Sequence, residues 1–485
     1  MNALFSLGLL LAPPALVVAA DEDLVVLRSE LRDTLVELAA LCQKEKLYLQ
    51  RDGMYELVLE VDPDHQQARK VLGYRRGKSG WERGNYRPPR DRGGDEALQS
   101  LQDERSRRAS DFAGRLAPFF AELDLATRLV EIQPYLLLDP ENAELNRLID
   151  RVQDDEGRWR DPGELAAELR RKEIQDLVWE ALERVPDFED WDLTSPLSDV
   201  SVDWTAAYRT ERVRITGTGR NSELRRATEV AHALEDFLVA LLPMAPESAW
   251  GSRAKIRARK THLHPRYRKF DVVLLDGRGG IPALLEGWTE LSGEDRELFP
   301  QLSTAWLDQE NTLGVWVEDE AERLDAMTRQ LVGAYLRDTF GLSTRHGWAW
   351  EGFGLYLTHL VVGTRMTFFV RPSEYVESAD ANLDQRLLRP EADWLAELQK
   401  EVEDGRRPRL GFVIGKDVNS LEVRDLLLSN ALAIYLTEET PEILTGLLSE
   451  LGEGKTSLQA LEQATGKKIP TLEQELYAWL ARRVQ

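Results

Sequence analysis

The sequence predicts a helix-rich α+β protein, in which an N-terminal helical, repeat-like region precedes a domain of a small sheet plus helices. Between residues 24 and 75, apolar residues recur at three- and four-residue spacing, which is the period of one helix face. Short apolar or alternating segments at 211–219, 270–276 and 311–317 predict strands. From residue 318 onward the pattern is again mostly helical.

Length and charge limit the classes of function. The chain has 485 residues, enough for two or three domains with a sizeable core. Its formal net charge of −23 argues against broad binding to nucleic acid or to anionic membranes. The single cysteine, Cys42, excludes an intramolecular disulfide and a cysteine zinc cluster, and it lies in an apolar helical stretch typical of a core residue.

The first twenty residues predict a secretory signal peptide. An apolar stretch ends in the small residues VAA, and the acidic segment DED follows. The alternative is an uncleaved membrane anchor, which Pro13, Pro14 and the short apolar run disfavour. We therefore expect an exported protein, periplasmic or extracellular, with no membrane span after removal of the signal.

Two segments between residues 21 and 185 follow the same pattern. Residues 60–81 and 137–159 each run from Asp-Pro through a helix to a glycine and then a tryptophan, about 77 residues apart. Asp62 and Asp139 are the predicted N-caps, each with proline in the first helical turn. We interpret the segments as two copies of one helical unit.

The first copy, "YELVLEVDPDHQQARKVLGY", resembles a tetratricopeptide-type helix pair, a module that often serves as a docking surface. The alternative is a helical spacer that carries the next domain. Between the copies, the Gly-, Pro- and Arg-rich stretch "RRGKSGWERGNYRPPRDRGGDE" predicts a basic loop. The predicted domains are a signal peptide (1–20), a helical unit with basic linker (21–90), a second helical unit (91–185) and a C-terminal domain (205–485).

Three pieces of the C-terminal domain carry a family resemblance. They are the strand "RITGTG" with its long following helix, the element "WAWEGFGLYL", and the tail "LLSELGEGKTSLQALEQATGKKIPTLEQELYAWL". With these, residues 205–485 resemble the gluzincin-type, peptidase MA-like metallopeptidase domain of exported bacterial proteins. The resemblance implies a zincin-like fold. In such enzymes two histidines of H-E-x-x-H bind zinc, the glutamate is the general base, and a glutamate about twenty residues along is the third ligand.

The residues required for zinc chemistry are replaced in this chain. The family register places Arg329, Gln330 and Gly333 at the positions of the first histidine, the glutamate and the second histidine. Arginine stays protonated and cannot bind a cation, glutamine is not a base, and glycine has no side chain. The resemblance implies that Glu351 is the remnant third ligand. We expect no catalytic residue, metal or cofactor at this site.

Glu351 stands alone among apolar and aromatic residues. It is interpreted either as the remnant ligand or as a first-turn acid favoured by a helix N-terminus, and the two interpretations are compatible. A partly buried carboxylate needs a positive partner. We predict an ion pair between Arg329 and Glu351, in which the arginine takes the place of the metal ion.

Other catalytic patterns are weak. His346 and His359 flank Glu351 at offsets that do not form a ligand ladder, and His262 and His264 lack a third ligand. His65 and His232 complete the six histidines. No G-x-S-x-G motif is present, and a paired-carboxylate hydrolase stays open although no pair stands out.

A basic segment indicates a ligand surface. Residues 252–270 hold eight basic residues and no acid, and within it Arg253, Lys255, Arg257 and Arg259 alternate with small or apolar residues, as on one face of a strand. In the resembled fold a strand at the cleft edge holds substrate backbone. The segment is predicted to bind a protein or an acidic peptide or polymer. The alternative is a charged edge that prevents strand pairing.

These patterns predict an exported, non-catalytic pseudo-peptidase that acts in binding or assembly. The alternative is an active hydrolase, most plausibly peptidase-like, with an unrecognised catalytic or metal site. A third interpretation is a structural envelope protein in which the helical units do the work. A resemblance in fold does not by itself establish an activity.

Overall fold

The computed structural model describes residues 22–77, 80–87, 89–190, 197–243, 270–288, 291–307, 312–366 and 381–484. The chain divides into two compact units, Met1–Leu165 and Ala166–Gln485. The predicted signal peptide and the basic residues Arg253, Lys255, Arg257 and Arg259 lie outside the described residues.

The first unit consists of helices and two small hairpins. The helices are α1 (Glu22–Lys44), α2 (Tyr48–Val61), α3 (Gln66–Val71), α4 (Asp95–Phe120), α5 (Leu125–Leu136) and α6 (Ala143–Leu148). The hairpins pair β1 (Tyr74–Gly77) with β2 (Gly80–Arg83), and β3 (Val152–Gln153) with β4 (Trp159–Arg160). One apolar core, which includes Leu31, Phe112 and Tyr135, joins both predicted helical units. The units predicted at 21–90 and 91–185 therefore do not have separate cores.

The Asp-Pro sequences form turns and do not cap helices, so that prediction was wrong. The carbonyl oxygens of Asp62 and Asp139 accept hydrogen bonds from the backbone N–H groups of His65 and Asn142, both at 3.1 Å. His65 and Asn142 are the actual N-caps of α3 and α6, and their side chains accept from backbone N–H groups of the first turn. Each turn therefore delays its helix by three residues.

The stretch predicted as a basic loop begins with a hairpin. In β1 and β2, Arg76 is paired with Trp81, and the guanidinium of Arg69 lies 5.1 Å from the Trp81 ring centroid. A hairpin follows the short helix in the second copy as well. Gly73 and Asp150 occupy equivalent left-handed positions before the hairpins, with φ of 77° and 58°. The two copies thus share turn, helix and hairpin.

The second unit contains a six-stranded mixed sheet. The strands are β5 (Glu189–Asp190), β6 (Ala206–Arg209), β7 (Val213–Gly217), β8 (Phe270–Leu274), β9 (Thr304–Trp306) and β10 (Thr312–Val315), in the spatial order β5-β6-β7-β8-β10-β9. The three central strands β7, β8 and β10 are parallel, and the remaining pairings are antiparallel. Ile215, Val272 and Leu313 are aligned across the central strands and are fully buried. In β7 and β8 only the second residue, Arg214 or Asp271, is half-buried, and the other residues of both strands are buried, as expected for central strands covered on both faces.

Helices make up the rest of the second unit. They are α7 (Pro162–Glu183), α8 (Asn221–Leu241), α9 (Ile281–Gly287), α10 (Gly293–Leu298), α11 (Glu320–Phe340), α12 (Gly347–Val362), α13 (Ala381–Leu387), α14 (Trp394–Glu403), α15 (Leu410–Val413), α16 (Val423–Glu438), α17 (Pro441–Gly452), α18 (Ser457–Thr465) and α19 (Ile469–Val484). Helix α11 packs between α8 and α12, and α12 packs against α16. Ile174, Val178 and Ala181 of α7 belong to this unit's core. The domain end predicted at residue 185 therefore differs from the observed division after Leu165.

The helix-rich α+β prediction is confirmed at this level. The segments predicted as strands contain β7, β8 and β10, and the four predicted C-terminal helices correspond to α16–α19. The predicted turns at Gly454 and Gly466 have φ of 97° and 67°. In the described part of the chain, no helix is both long and apolar enough to cross a membrane.

Candidate functional site

Helix α11 carries Arg329, Gln330 and Gly333, the residues that the resemblance assigns to the zinc-motif positions. It begins after Asp319, whose side chain accepts a hydrogen bond from the backbone N–H of Glu322, and it ends at Gly341 in a left-handed conformation. One long face of the helix is buried. Arg329 and Gln330 are half-buried and Gly333 is fully buried, so all three positions lie inside the protein and not on an open surface.

Helix α12 carries Glu351 and is enclosed by its neighbours. At Gly352, a Cβ atom would lie only 2.3 Å from the carbonyl oxygen of Ser429 on α16. Backbone atoms cannot move aside easily, so only glycine permits this approach of the two helices. The close packing leaves the Glu351 side chain 3% exposed. Glu351 is the fifth residue of α12 and not a first-turn acid.

Arg329 and Glu351 form an ion pair, as predicted. The Nη1 atom of Arg329 lies 3.4 Å from Oε2 of Glu351, and the two side chains are 10% and 3% exposed. The contact is not a hydrogen bond, because both of these buried atoms lack a hydrogen-bond partner. Burial raises the pKa of Glu351, and the charge of Arg329 opposes that rise. The arginine therefore compensates the buried carboxylate only in part.

Trp350 occupies the space beside Gly333. A Cβ atom at position 333 would lie 2.7 Å from Cζ2 of the Trp350 indole. Real Cβ atoms do not approach this closely, so a histidine at position 333 requires Trp350 to move. The position that the resemblance assigns to the second zinc ligand is thus covered by an aromatic ring. The sequence analysis did not single out Trp350, although the aromatic run around Glu351 was the available signal.

Asp325 lies one helical turn before Arg329 and connects α11 to the end of α12. Its carboxylate accepts hydrogen bonds from Oγ1 of Thr364 at 2.7 Å and from the backbone N–H of Met366 at 3.1 Å. These contacts hold the chain where it leaves α12. Asp325 therefore acts as a structural anchor beside the candidate site.

Three of the four histidines in the described part of the chain have a partner for a ring nitrogen. His65 caps α3, Nδ1 of His232 lies 3.1 Å from Oγ1 of Thr210, and Nδ1 of His346 lies 2.9 Å from Oγ of Ser457. Across the described ranges, no group of three His, Cys, Asp or Glu side chains is arranged to share a metal ion. His262 and His264 fall outside those ranges.

His359 is the exception among the histidines in the described ranges. It lies on α12, two turns beyond Glu351, and its Nδ1 atom is buried without a hydrogen-bond partner. Burial, together with the charge of Arg365, lowers its pKa to about 4, so the ring is neutral at physiological pH. It is not part of the Arg329–Glu351 pair.

The chemistry available to the pair is limited. Arg329 offers only hydrogen-bond donors and cannot bind a metal ion. Glu351 is enclosed by protein, and a general base must come within hydrogen-bond reach of the proton it accepts. No family model, no curated protein and no solved structure matches the chain at a significant level. The chemistry of this site is therefore inferred from its own residues.

Proposed function

We propose that this chain is an exported, non-catalytic protein with a gluzincin-like domain, a pseudo-peptidase that acts in binding or assembly. The observation that carries the proposal is the Arg329–Glu351 ion pair. The guanidinium lies against the carboxylate that would be the third zinc ligand in the resembled fold. A fixed cationic side chain at that point excludes a second cation by charge and by volume.

The packing around Gly333 supports the same proposal. A single substitution to histidine would not restore the second ligand, because the Trp350 ring fills the space. Loss of the site thus involves three replaced residues and one covering side chain. The partner is proposed to be a protein or an acidic peptide or polymer, an expectation that comes from the basic residues at 253–259.

The zinc content of the purified chain from residue 21 onward tests the proposal. After equilibration with zinc and removal of the excess, we expect the natural chain to retain well under about 0.1 zinc ion per molecule, because a tetrahedral site needs three protein ligands. A variant with Arg329→His, Gln330→Glu, Gly333→His and Trp350→Ala is expected to retain about one zinc ion per molecule.

Two control variants make this test specific. The same variant without Trp350→Ala is expected to bind zinc poorly, because the indole still blocks position 333. Adding Glu351→Gln to the four changes is expected to weaken zinc binding at least about tenfold, through loss of the third ligand. Near-stoichiometric zinc or peptide hydrolysis by the natural chain would overturn the proposal and favour the hydrolase alternative.

A further inference from the structure

A cavity of about 690 Å³ lies within the second unit, at the far end of α12 from Gly347. Residues of α7, α12, α16 and α19 and of the segment before α14 contribute to its wall. The volume is in the range that accommodates a small organic molecule. Charged and polar side chains in the wall include Arg171, Tyr356, His359, Arg365, Glu438 and Arg483.

The carboxylate of Glu438 has three neighbours that offset part of the cost of its burial, although burial still raises its pKa. Its Oε1 atom accepts a hydrogen bond from the Tyr356 hydroxyl at 3.1 Å. Its Oε2 atom lies 3.4 Å from Nη1 of Arg171 and 3.5 Å from Nη2 of Arg483. Two arginines therefore share one carboxylate, and this side of the cavity needs no additional cation.

The other acids of the wall are also accounted for. The Asp393 carboxylate caps α14 by accepting hydrogen bonds from the backbone N–H groups of Leu395 and Ala396, at 3.0 and 3.1 Å. Glu391 is exposed to solvent, where water compensates its charge. Neither carboxylate forms an ion pair with the nearby Arg365 within 4.0 Å.

Arg365 is a half-buried cation without an acidic partner at salt-bridge distance in the described part of the chain. Its guanidinium carbon lies 5.9 Å from the ring centroid of Trp394, which provides a cation–π contact. Burial lowers its pKa to about 10, with Asp393 opposing that change, so it stays charged at neutral pH. A cation removed from water without a counter-charge lowers stability unless an anion binds to it.

His359 supplies a second polar group on the same wall. Its unpartnered Nδ1 atom is buried, and its neutral ring has one donor and one acceptor nitrogen. In the tautomer with its proton on Nδ1, the neutral imidazole beside the guanidinium can donate a hydrogen bond to an oxyanion without adding a second buried charge. The two residues together have the chemistry of an anion-binding corner.

We propose that this cavity binds a small-molecule anion, a carboxylate or a phosphate, through Arg365 and His359. The inference does not depend on the zincin resemblance or on the Arg329–Glu351 pair. It goes beyond the proposed function because it assigns a ligand class to a different site. The two anions share a planar or near-planar pair of oxygens that matches the two-pronged guanidinium.

Calorimetric titration and thermal unfolding of the purified protein test the proposal, with inorganic phosphate and succinate as probes at constant ionic strength set with sodium chloride. We expect saturable binding of at least one probe and a rise in the unfolding midpoint. Binding of phosphate alone or of succinate alone identifies which oxyanion the corner prefers.

Substitutions at the corner give the decisive comparison. Arg365→Gln is expected to weaken binding at least about tenfold, and His359→Phe about fivefold, because each removes a hydrogen-bond donor to the anion. Without anion, Arg365→Gln is expected to unfold at the same or a higher temperature than the natural protein. The exposed Arg345→Gln serves as the matched control and should bind as the natural protein does.

Two results would overturn the proposal. One is the absence of saturable binding of both probes up to about 10 mM, which is weaker than a specific site of this size should be. The other is equal binding by the natural protein and by folded Arg365→Gln and His359→Phe, which would place the anion elsewhere.

Discussion

Two buried glutamates of the second unit face arginines, yet their pKa values move in opposite directions. The Glu401 side chain is 2% exposed and accepts hydrogen bonds from Arg406 at 2.7 and 2.8 Å and from Arg424 at 2.7 Å. The hydrogen bonds from Arg406, followed by those from Arg424, lower the pKa of Glu401 to about 2 against the effect of burial. Glu351 has one 3.4 Å contact with Arg329, and its pKa is raised.

The difference shows what makes a buried ion pair stabilising. Direct hydrogen bonds from two guanidinium groups more than replace the water that Glu401 loses. At Glu351, a single contact that is not a hydrogen bond does not replace the lost water, so the cost of burial determines the direction of the pKa shift. We infer that the α11–α12 region depends on packing for its stability, whereas the end of α14 depends on charge.

The largest effect is expected when the packing of α12 is broken. Gly352→Ala would place a Cβ atom 2.3 Å from the backbone oxygen of Ser429, and neither helix can yield easily. We expect a loss of about 3 kcal/mol or more in the free energy of unfolding, measured by chemical denaturation. Gly446→Ala is the matched control, since nothing lies within 4 Å of its added Cβ, and it should gain up to about 1 kcal/mol. Equal stability of both variants would contradict the close approach.

Breaking the charge network is expected to have the next largest effect. Glu401→Gln should lower the free energy of unfolding at pH 7 by about 2 kcal/mol, a value reduced by solvent screening because Arg406 is half-exposed. Since the pKa of Glu401 is lower when folded, its contribution is present above about pH 4.5 and is lost as the pH falls toward about 2. The gap between variant and natural protein should close over that interval.

Glu403→Gln, at an exposed position on the same helix, controls for the loss of a charge as such. We expect it to change stability by less than about 0.5 kcal/mol. A loss equal to that of Glu401→Gln would show that the hydrogen-bonded network is not the cause.

Gly333→Ala tests how firmly Trp350 covers position 333. Its Cβ would meet a half-buried indole and not a backbone, so the obstacle is more yielding than at Gly352. We expect a net loss of about 1 kcal/mol, in which displacement of the indole exceeds the gain in helix propensity. In a protein that already carries Trp350→Ala, Gly333→Ala should cause no further loss in the free energy of unfolding. A double-variant cycle in the same denaturation assay measures this coupling.

The smallest effect is expected at Glu351 itself. Because its pKa is raised in the folded protein, the ionised carboxylate costs stability above about pH 4.5. Glu351→Gln should therefore change the free energy of unfolding at pH 7 by no more than about 1 kcal/mol, toward higher stability. The change should grow as the pH rises from about 4.5 and disappear below it.

Replacing both charges, as Arg329→Met with Glu351→Leu, should leave stability close to that of the natural protein. A loss of about 2 kcal/mol with Glu351→Gln alone, as large as that expected for Glu401→Gln, would instead mean that the pair is as well compensated as Glu401. The contrast between the two glutamates would then have to be abandoned.

Local patterns were sufficient to predict most helices and the central strands, because apolar periodicity reports directly which face of an element is buried. The Arg329–Glu351 contact was predicted from the family resemblance, because the two residues occupy positions that meet in the resembled fold. Local patterns failed at Asp62 and Asp139. There the Asp-Pro sequence is compatible with both a cap and a turn, and only the following hydrogen bonds distinguish them.

The sequence by itself determined the helix-rich α+β class and the repeated segment of the first unit, because each depends on residue identity and short-range spacing. Only the tertiary structure decided which charges are compensated. Glu401 and Arg424 lie 23 residues apart, and the side chains around Arg365 come from distant elements. Burial and hydrogen bonding depend on how elements pack, and no local spacing contains that information.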